Sequence, residues 1–406
     1  MIARAEEAGP PVPLARCLED EAEDPERLRE DILQHFRLLG LPAQDGLSSA
    51  PASKAAIRSM HSRQRSELLQ RELAALRPRL PGLLDHFADG VQVDPERISP
   101  ELIPVQSDQP TGDLFRFATL LWSVPVSRGY GRRMRYLVRD RQNGKLMGLF
   151  ALTDPVFNLR ARDSWIGWSA EQRRAGLVHV MDAHVVGAVP PYSGLLGGKL
   201  ITALIGSRDV SEAFAARYGE TEGIISRKRK AARLVLVTVT SALGRSSIYN
   251  RLLLLAESGP TGGGPVLAEL IRVGSTRGYG HFHLSEDLFR RLRRLLIARN
   301  HPYANGYAFG NGPNWRLRLT RVGLGILGLD PNLVRHGVSR EAYVMPLGHD
   351  CRSFLCGRSE MIALQRPTAD EISRAALSRW VRPRARRRPE YASFCRTELL
   401  ASLADA

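Results

Sequence analysis

Residues 135–152 read RYLVRDRQNGKLMGLFAL, two β-rich runs on either side of Asn143-Gly144, and this stretch decides the fold class. Asn-Gly tolerates the positive φ values of a tight type I′ turn, so the pattern predicts a two-stranded hairpin at 135–152. Downstream, His179 to Val189 is a nearly continuous apolar run ending at Pro190-Pro191, as expected of a buried central strand. Arg233 to Thr240 (RLVLVTVT) and residues 266–273 read as further strands. Helical segments fall between them: one after Ser169, which can act as an N-cap, and others at 194–205 and 210–218. A last one at 285–299 carries a Ser cap and an acidic first turn. Strands alternating with helices predict an α/β protein with a mixed sheet core at 111–300.

The flanks differ from that core. Apolar positions recur at helical spacing over 25–39 and 53–77, so a helical N-terminal region is expected over 1–110. Pro78 and Pro81 should end its second helix, because proline cannot continue one. A short helix is expected at 84–89 and a connector from Pro95 to Pro110. Residues 301–406 form a basic C-terminal extension whose RPRARRR run at 382–388 reads as an exposed arm.

At 406 residues, 43% hydrophobic and 25% charged, the chain has the composition of a folded globular protein rather than a disordered one. Lys and Arg number 58 against 42 Asp and Glu, a formal net charge of +16, which points to an acidic partner. Phosphate backbones are the first choice, DNA before RNA, against the plainer reading that arginine is simply over-used. No apolar run reaches transmembrane length, and the first residues lack a signal-peptide pattern. A cytoplasmic protein with no membrane partner is the resulting expectation. Four scattered cysteines do not make a disulfide framework, and Cys351-x4-Cys356 with His349 leaves a zinc site incomplete, so no metal is expected.

Two stretches can carry chemistry. GLLGGKL at 194–200 is not a nucleotide-hydrolysing loop: three residues rather than four separate Gly194 from Gly198, and Leu200 stands where Ser or Thr should hold magnesium. A strand, a glycine turn and a helix can still offer free amides to an anion. The second stretch combines SSIYNR at 246–251 with GSTRGYGHFH at 274–283. Its Arg, Ser, Thr and His side chains suit phosphate binding or proton transfer, although paired histidines on a strand are more often simple hydrogen-bonded rings than metal ligands. The residues nominated for catalysis are Asp182, His184, Tyr249, His281 and His283. Those nominated for nucleic-acid or phosphate contact are Arg245, Ser247, Arg251, Thr276, Arg277, Arg384 and Arg386.

Two resemblances follow from these residues. The strand, glycine turn and helix at 180–205 resemble the acyl-coenzyme A binding turn of the N-acetyltransferase superfamily, although Pro191-Tyr192-Ser193 stand where that family has Arg or Gln. The resemblance implies an N-acetyltransferase-like sheet core, an acyl-coenzyme A cofactor and a group-transfer reaction. More specifically, RMRYLVRDRQNGKLMGLFAL, the Asp163 to Trp168 core (DSWIGW), Ser247-Ile248-Tyr249 and Gly274 to Gly278 resemble the signature blocks of the DruA family of Druantia anti-phage systems, over residues 115–285. Asp182 and His184 stand where that family usually has Asn, and the 193–200 turn is richer in glycine than expected. That resemblance implies phage defence beside other Druantia proteins, including a helicase, without supplying a chemistry. The alternatives are a non-catalytic subunit that targets the helicase to DNA, and a metal-dependent nuclease or transposase using Asp140, Asp163 and Asp182. Trp165 and Trp168 read as core aromatics on a hairpin rather than as a stacking platform for a base.

Overall fold

A computed structural model describes residues 23–38, 53–107, 109–127, 129–222, 229–256, 264–279, 284–304, 313–360, 362 and 366–404. The strands are β1 (Pro100–Pro104), β2 (Arg133–Asp140), β3 (Leu146–Thr153), β4 (Val180–Ala188), β5 (Glu220–Glu222), β6 (Arg229–Ala231), β7 (Leu236–Thr240), β8 (Leu253–Leu255), β9 (Val266–Glu269), β10 (Ile271–Tyr279) and β11 (Arg335–Pro346). The helices are α1 (Pro25–Leu38), α2 (Lys54–Leu76), α3 (Leu80–Leu84), α4 (Pro110–Leu120), α5 (Arg160–Ile166), α6 (Ala170–Gly176), α7 (Gly197–Leu204), α8 (Arg208–Tyr218), α9 (Glu286–Ala298), α10 (Pro313–Ile326), α11 (Cys351–Leu355), α12 (Ala369–Ala376), α13 (Arg382–Arg387) and α14 (Glu398–Ala404).

The chain divides into two compact units, 1–50 with 279–337, and 51–278 with 338–406. In the first, α9 packs between α1 and α10. Leu28, Ile32 and Phe36 of α1 and Leu292, Leu295 and Leu296 of α9 are buried at helical spacing. Arg291 joins Glu23 and Asp31, each at 2.7 Å, which ties α9 to α1.

The second unit is built on a seven-stranded sheet of order β1-β2-β3-β4-β7-β11-β10. Neighbours from β1 to β4 run antiparallel, β4 and β7 run parallel, and β11 returns antiparallel on β7. One face carries α7, α8, α12 and α13, whose Ile201, Phe214, Ile372 and Ala385 pack against Met181, Phe150 and Val237. The other face carries two separate apolar clusters. Leu69, Phe117 and Leu399 meet Leu149 and Val185 in one; Ile166, Trp168 and Leu355 meet Val180, Leu236 and Val344 in the other. The strand parity decides which residues fall between these clusters.

Several local expectations need correction. The 135–152 hairpin forms, but the turn is not type I′: Gly144 alone has positive φ (+72°), and Gly144 N–H donates to the Asp140 carbonyl across a longer loop. The buried Asp140 carboxylate is the reason, since it accepts from Gln142 N–H and Nε2 and so sets the chain path before Asn143 is reached. The second helix, α2, does end at Leu76, just before Pro78, as expected; Pro78 and Pro81 then sit at the first positions of new short turns, where a missing N–H costs nothing, and α3 lies at 80–84 instead of 84–89. The expected connector contains β1, an edge strand that tolerates proline at both ends. Residues 160–166 are helical and end at Gly167 in the left-handed region, so Trp165 and Trp168 flank a helix end, not a hairpin turn; Trp168 is buried. Finally, 382–388 is no exposed arm: Trp380, Val381 and Ala385 are buried against the sheet face that carries α7.

Candidate functional site

Asp182 and His184 lie on β4 with only Ala183 between them, and a bulge separates their roles. Ala151 pairs with Val185 while Leu152 pairs with Ala183, so His184 is the extra residue and has no partner across the ladder. β4 and β7 pair over only three positions, ending at Asp182 opposite Thr238. Beyond that rung the described pairing stops, β4 running on toward Pro190 and β7 toward Ser241.

Thr238 Oγ1 donates to Asp182 Oδ1 at 2.5 Å, and no partner among the described residues takes the other carboxylate oxygen. Burial raises the Asp182 acid from the usual range to about 6, although the Thr238 hydroxyl and the nearby Arg162 charge favour the ionised form. Burial pushes His184 down to about 4, with the Ala151 and Asp182 carbonyls opposing, and its Nδ1 is buried without a hydrogen bond. Near neutral pH the pair is therefore a carboxylate beside an uncharged imidazole, a poised acceptor of protons.

The segment before β2 closes over this pair. Gly129 has φ +66°, and a Cβ there would come within 2.9 Å of Thr153 Oγ1 and 3.1 Å of His184 Nε2. Tyr130 N–H donates to Thr153 Oγ1, and burial together with the Asp182 and Asp154 charges raises the Tyr130 hydroxyl. Arg132 anchors the segment through Asp154 at 2.7 Å and the Val178 carbonyl at 2.7 Å. Arg162 is completely buried, held by Asp163 and by the Val156 and Phe157 carbonyls. Its fixed charge reaches Asp182 from the side of α5.

Tyr249 packs on the opposite face, tilted against Tyr343 at 5.7 Å between ring centroids. Burial raises its hydroxyl, and the Asp182 charge contributes to that rise, so the two groups are coupled electrostatically although they stand on different faces. His281 and His283 lie outside the described residues, as does the Arg277 side chain. Thr276 is half-buried on β10; Arg245, Ser247 and Arg251 are exposed in and after the turn that follows β7. Arg245 lines a surface pocket with Asn250, Arg272 and Glu341. Arg384 instead donates to the Gly194 carbonyl, and Arg386 to Glu96.

The turn after β4 is fixed from beneath. Tyr192 is buried and donates to Asp140 at 2.9 Å, while Asn143 donates to the Tyr192 hydroxyl at 3.0 Å. Leu196 takes φ +60°, and Gly197 and Gly198 open α7; a Cβ on Gly197 would press on the Tyr192 carbonyl at 2.7 Å. Among the described residues, the Gly197 and Gly198 amides have no backbone acceptor. Lys199 Nζ reaches across to the Asn250 carbonyl at 2.8 Å, joining this turn to the one holding Tyr249.

Asp140 and Asp163 are each saturated by protein donors, and among the described residues no group of three or more His, Cys, Asp or Glu side chains is arranged to hold a metal. No helix among those residues is long and apolar enough to cross a membrane. Sequence reasoning reached Asp182 and His184 but missed Tyr130, Thr153, Thr238 and Arg162. The Gly-Tyr-Gly run at 129–131 was the one available signal.

Comparison with known proteins agrees with the resemblance drawn from the motifs. The family model described as Druantia protein DruA matches residues 51–357. The Druantia protein DruA of Escherichia coli (strain UMEA 4076-1) is 46% identical over 368 residues, covering 90% of this chain and 89% of that one. No solved structure matches. With three quarters of its length matched by that family and the sheet, the β4 bulge and the Asp182 centre all inside the match, the chain belongs to the DruA family.

Proposed function

We propose that the protein acts in Druantia anti-phage defence, beside other Druantia proteins such as a helicase, as a group transferase that modifies nucleic acid. The observation that carries the chemistry is the end of the β4–β7 parallel pairing at Asp182: a carboxylate raised toward neutrality, a neutral imidazole and a glycine turn meet where the two strands cease to be bonded. The strand order, with the parallel β4–β7 pair flanked by antiparallel pairs and a loop and helix directly after the fourth strand, supports the resemblance to N-acetyltransferases.

The acceptor-free amides of Gly197 and Gly198 are the chain's candidate contact for the diphosphate of an acyl-coenzyme A, because a helix N-terminus favours an anion, although both glycines are buried and Ile248 packs against Gly198. Such a cofactor would supply an activated acyl group. The chain's own part is to orient the nucleic acid and to take a proton from the attacking amine or hydroxyl at Asp182. Thr238 holds that carboxylate in place, and the Tyr130 N–H bond to Thr153 fixes the glycine turn next to His184. The net charge of +16 supports a polyanionic acceptor, DNA or RNA.

A test is incubation of the purified protein with labelled acetyl-coenzyme A and an oligonucleotide. The reading requires label on the nucleic acid with the wild type and at least a hundredfold less with Asp182→Asn. A second reading, a non-catalytic subunit that targets the helicase, is favoured by Ile248, whose side chain fills the space beside Gly198 at 3.1 Å from a Cβ position. Absence of both label transfer and coenzyme A binding, with DNA binding retained, would select it.

A further inference from the structure

Apart from the Asp182 centre, the second unit carries a surface pocket of about 310 Å³ lined by Arg245, Asn250, Arg272 and Glu341. Its charges are not a random surface mixture. Glu341 Oε1 accepts from Arg272 Nε at 3.0 Å, and Oε2 accepts from the hydroxyl of Tyr343, a residue that is 1% exposed. The Glu341 carboxylate is held below its usual range by those two donors and by Arg245. Both oxygens are thus committed to the protein, which leaves Glu341 as a brace for Arg272 instead of a ligand for a cation. Arg245 makes no ion pair among the described residues and stands exposed at the mouth. Two guanidinium groups against one saturated carboxylate leave one net positive charge in a polar concavity. Lys199 fixes the pocket floor through the Asn250 carbonyl.

We infer that this pocket holds a phosphate group of a nucleic-acid strand. Guanidinium pairs match the oxygens of a phosphodiester in a way that a point charge does not, and a braced arginine loses less freedom on binding than a loose one. Because Asn250 follows Tyr249 directly, a strand anchored here would present its neighbouring nucleotide toward the turn that joins the pocket to α7. The inference deepens the nucleic-acid part of the proposed function but does not depend on group transfer.

The experiment is fluorescence anisotropy of a labelled single-stranded oligonucleotide with the full chain over a range of salt. Arg245→Ala and Arg272→Ala should each weaken binding roughly tenfold, as expected for a lost charge-assisted contact. Each should also reduce the slope of log affinity against log salt by about 0.7, the value for one phosphate on a single strand. Arg245→Lys should restore the slope but only part of the affinity. Unchanged affinity and slope in both alanine variants would overturn the assignment, as would a wild type that binds no oligonucleotide. If inorganic phosphate binds with the same dependence on Arg245 while the oligonucleotide ignores both substitutions, the site takes free phosphate and the strand assignment is wrong. Failure of acyl transfer leaves this readout untouched, so the two claims fall separately.

Discussion

Thr238 Oγ1 donates to Asp182 Oδ1 across the last bonded rung of the parallel β4–β7 pair. The bond fixes one carboxylate oxygen and leaves the other without a partner among the described residues, two positions before the unpaired His184 of the bulge. A general base needs this combination of a held geometry and a basicity near the working pH. The geometry comes from the Thr238 bond, and the raised basicity comes from burial, which outweighs that bond's opposite effect.

Asp182 and His184 should oppose each other in the pH dependence of stability. The Asp182 acid is raised from 3.8 to about 6 on folding, so its favourable share is complete below 3.8 and is lost as pH rises through 6. The His184 value falls from 6.5 to about 4, so its share is present above 6.5 and is lost as pH falls through 4. Asp182→Asn should therefore stabilise the protein at pH 7.5 by on the order of 1–3 kcal/mol and leave a melting temperature that falls more steeply between pH 6.5 and 4. His184→Phe should flatten that acid limb. Thermal unfolding followed across pH 4–8 checks both, and parallel curves for the wild type and the two variants would refute them.

Asp163→Asn is expected to be severe. The carboxylate accepts from buried Arg162, from Trp168 Nε1 at 3.1 Å and from Leu159 N–H at 3.1 Å. Its removal leaves Arg162 as an uncompensated buried charge, a loss of about 3–5 kcal/mol. Denaturant unfolding should show the midpoint shift, whereas replacing Arg162 and Asp163 together by apolar residues should cost less than the single change.

Tyr192→Phe should separate the glycine turn from the hairpin loop without creating a cavity. It removes one hydrogen bond to the fully buried Asp140 and one from Asn143, a loss of about 1–3 kcal/mol. Hydrogen exchange at the amides of 193–198 should accelerate selectively; equal acceleration throughout α7 and α8 would contradict a local role for this contact.

Gly129→Ala introduces strain at φ +66° and pushes Thr153 and His184. A cost of roughly 1–3 kcal/mol is expected. The His184 ring resonances in a nuclear magnetic resonance spectrum should move with it, and an unperturbed ring would disprove the contact.

Much of the frame could be read from the chain. The Asn143-Gly144 signal located the β2–β3 hairpin, and the apolar run before Pro190 located β4, because both depend on residues adjacent in sequence. The turn type was not legible, since Asp140 overrides the local Asn-Gly preference through a carboxylate also held by Ser99 and the distant Tyr192. β1 was hidden by Pro100 and Pro104, which an edge strand accepts and a central one does not. Arg384 and Arg386 drew attention to charge on α13, while the spacing of Trp380, Val381 and Ala385 that buries its other side went unread. Asp182 and His184 were recognisable as polar interruptions of an apolar run. Thr238 and Thr153 were not, because a strand hydroxyl acquires a role only when pairing sets it opposite a partner. Tyr249 lies in the turn between β7 and β8 and packs with the cluster on the other face, a fact that no spacing in one strand can reveal.

The most direct measurement is phage plating on cells carrying the Druantia proteins with this chain as wild type or as Asp182→Asn at matched abundance. Loss of protection to the level of cells lacking this chain, with the variant's fold and oligonucleotide affinity retained, is the result expected if Asp182 is the base of a nucleic-acid-modifying centre. Full protection by Asp182→Asn would contradict that claim.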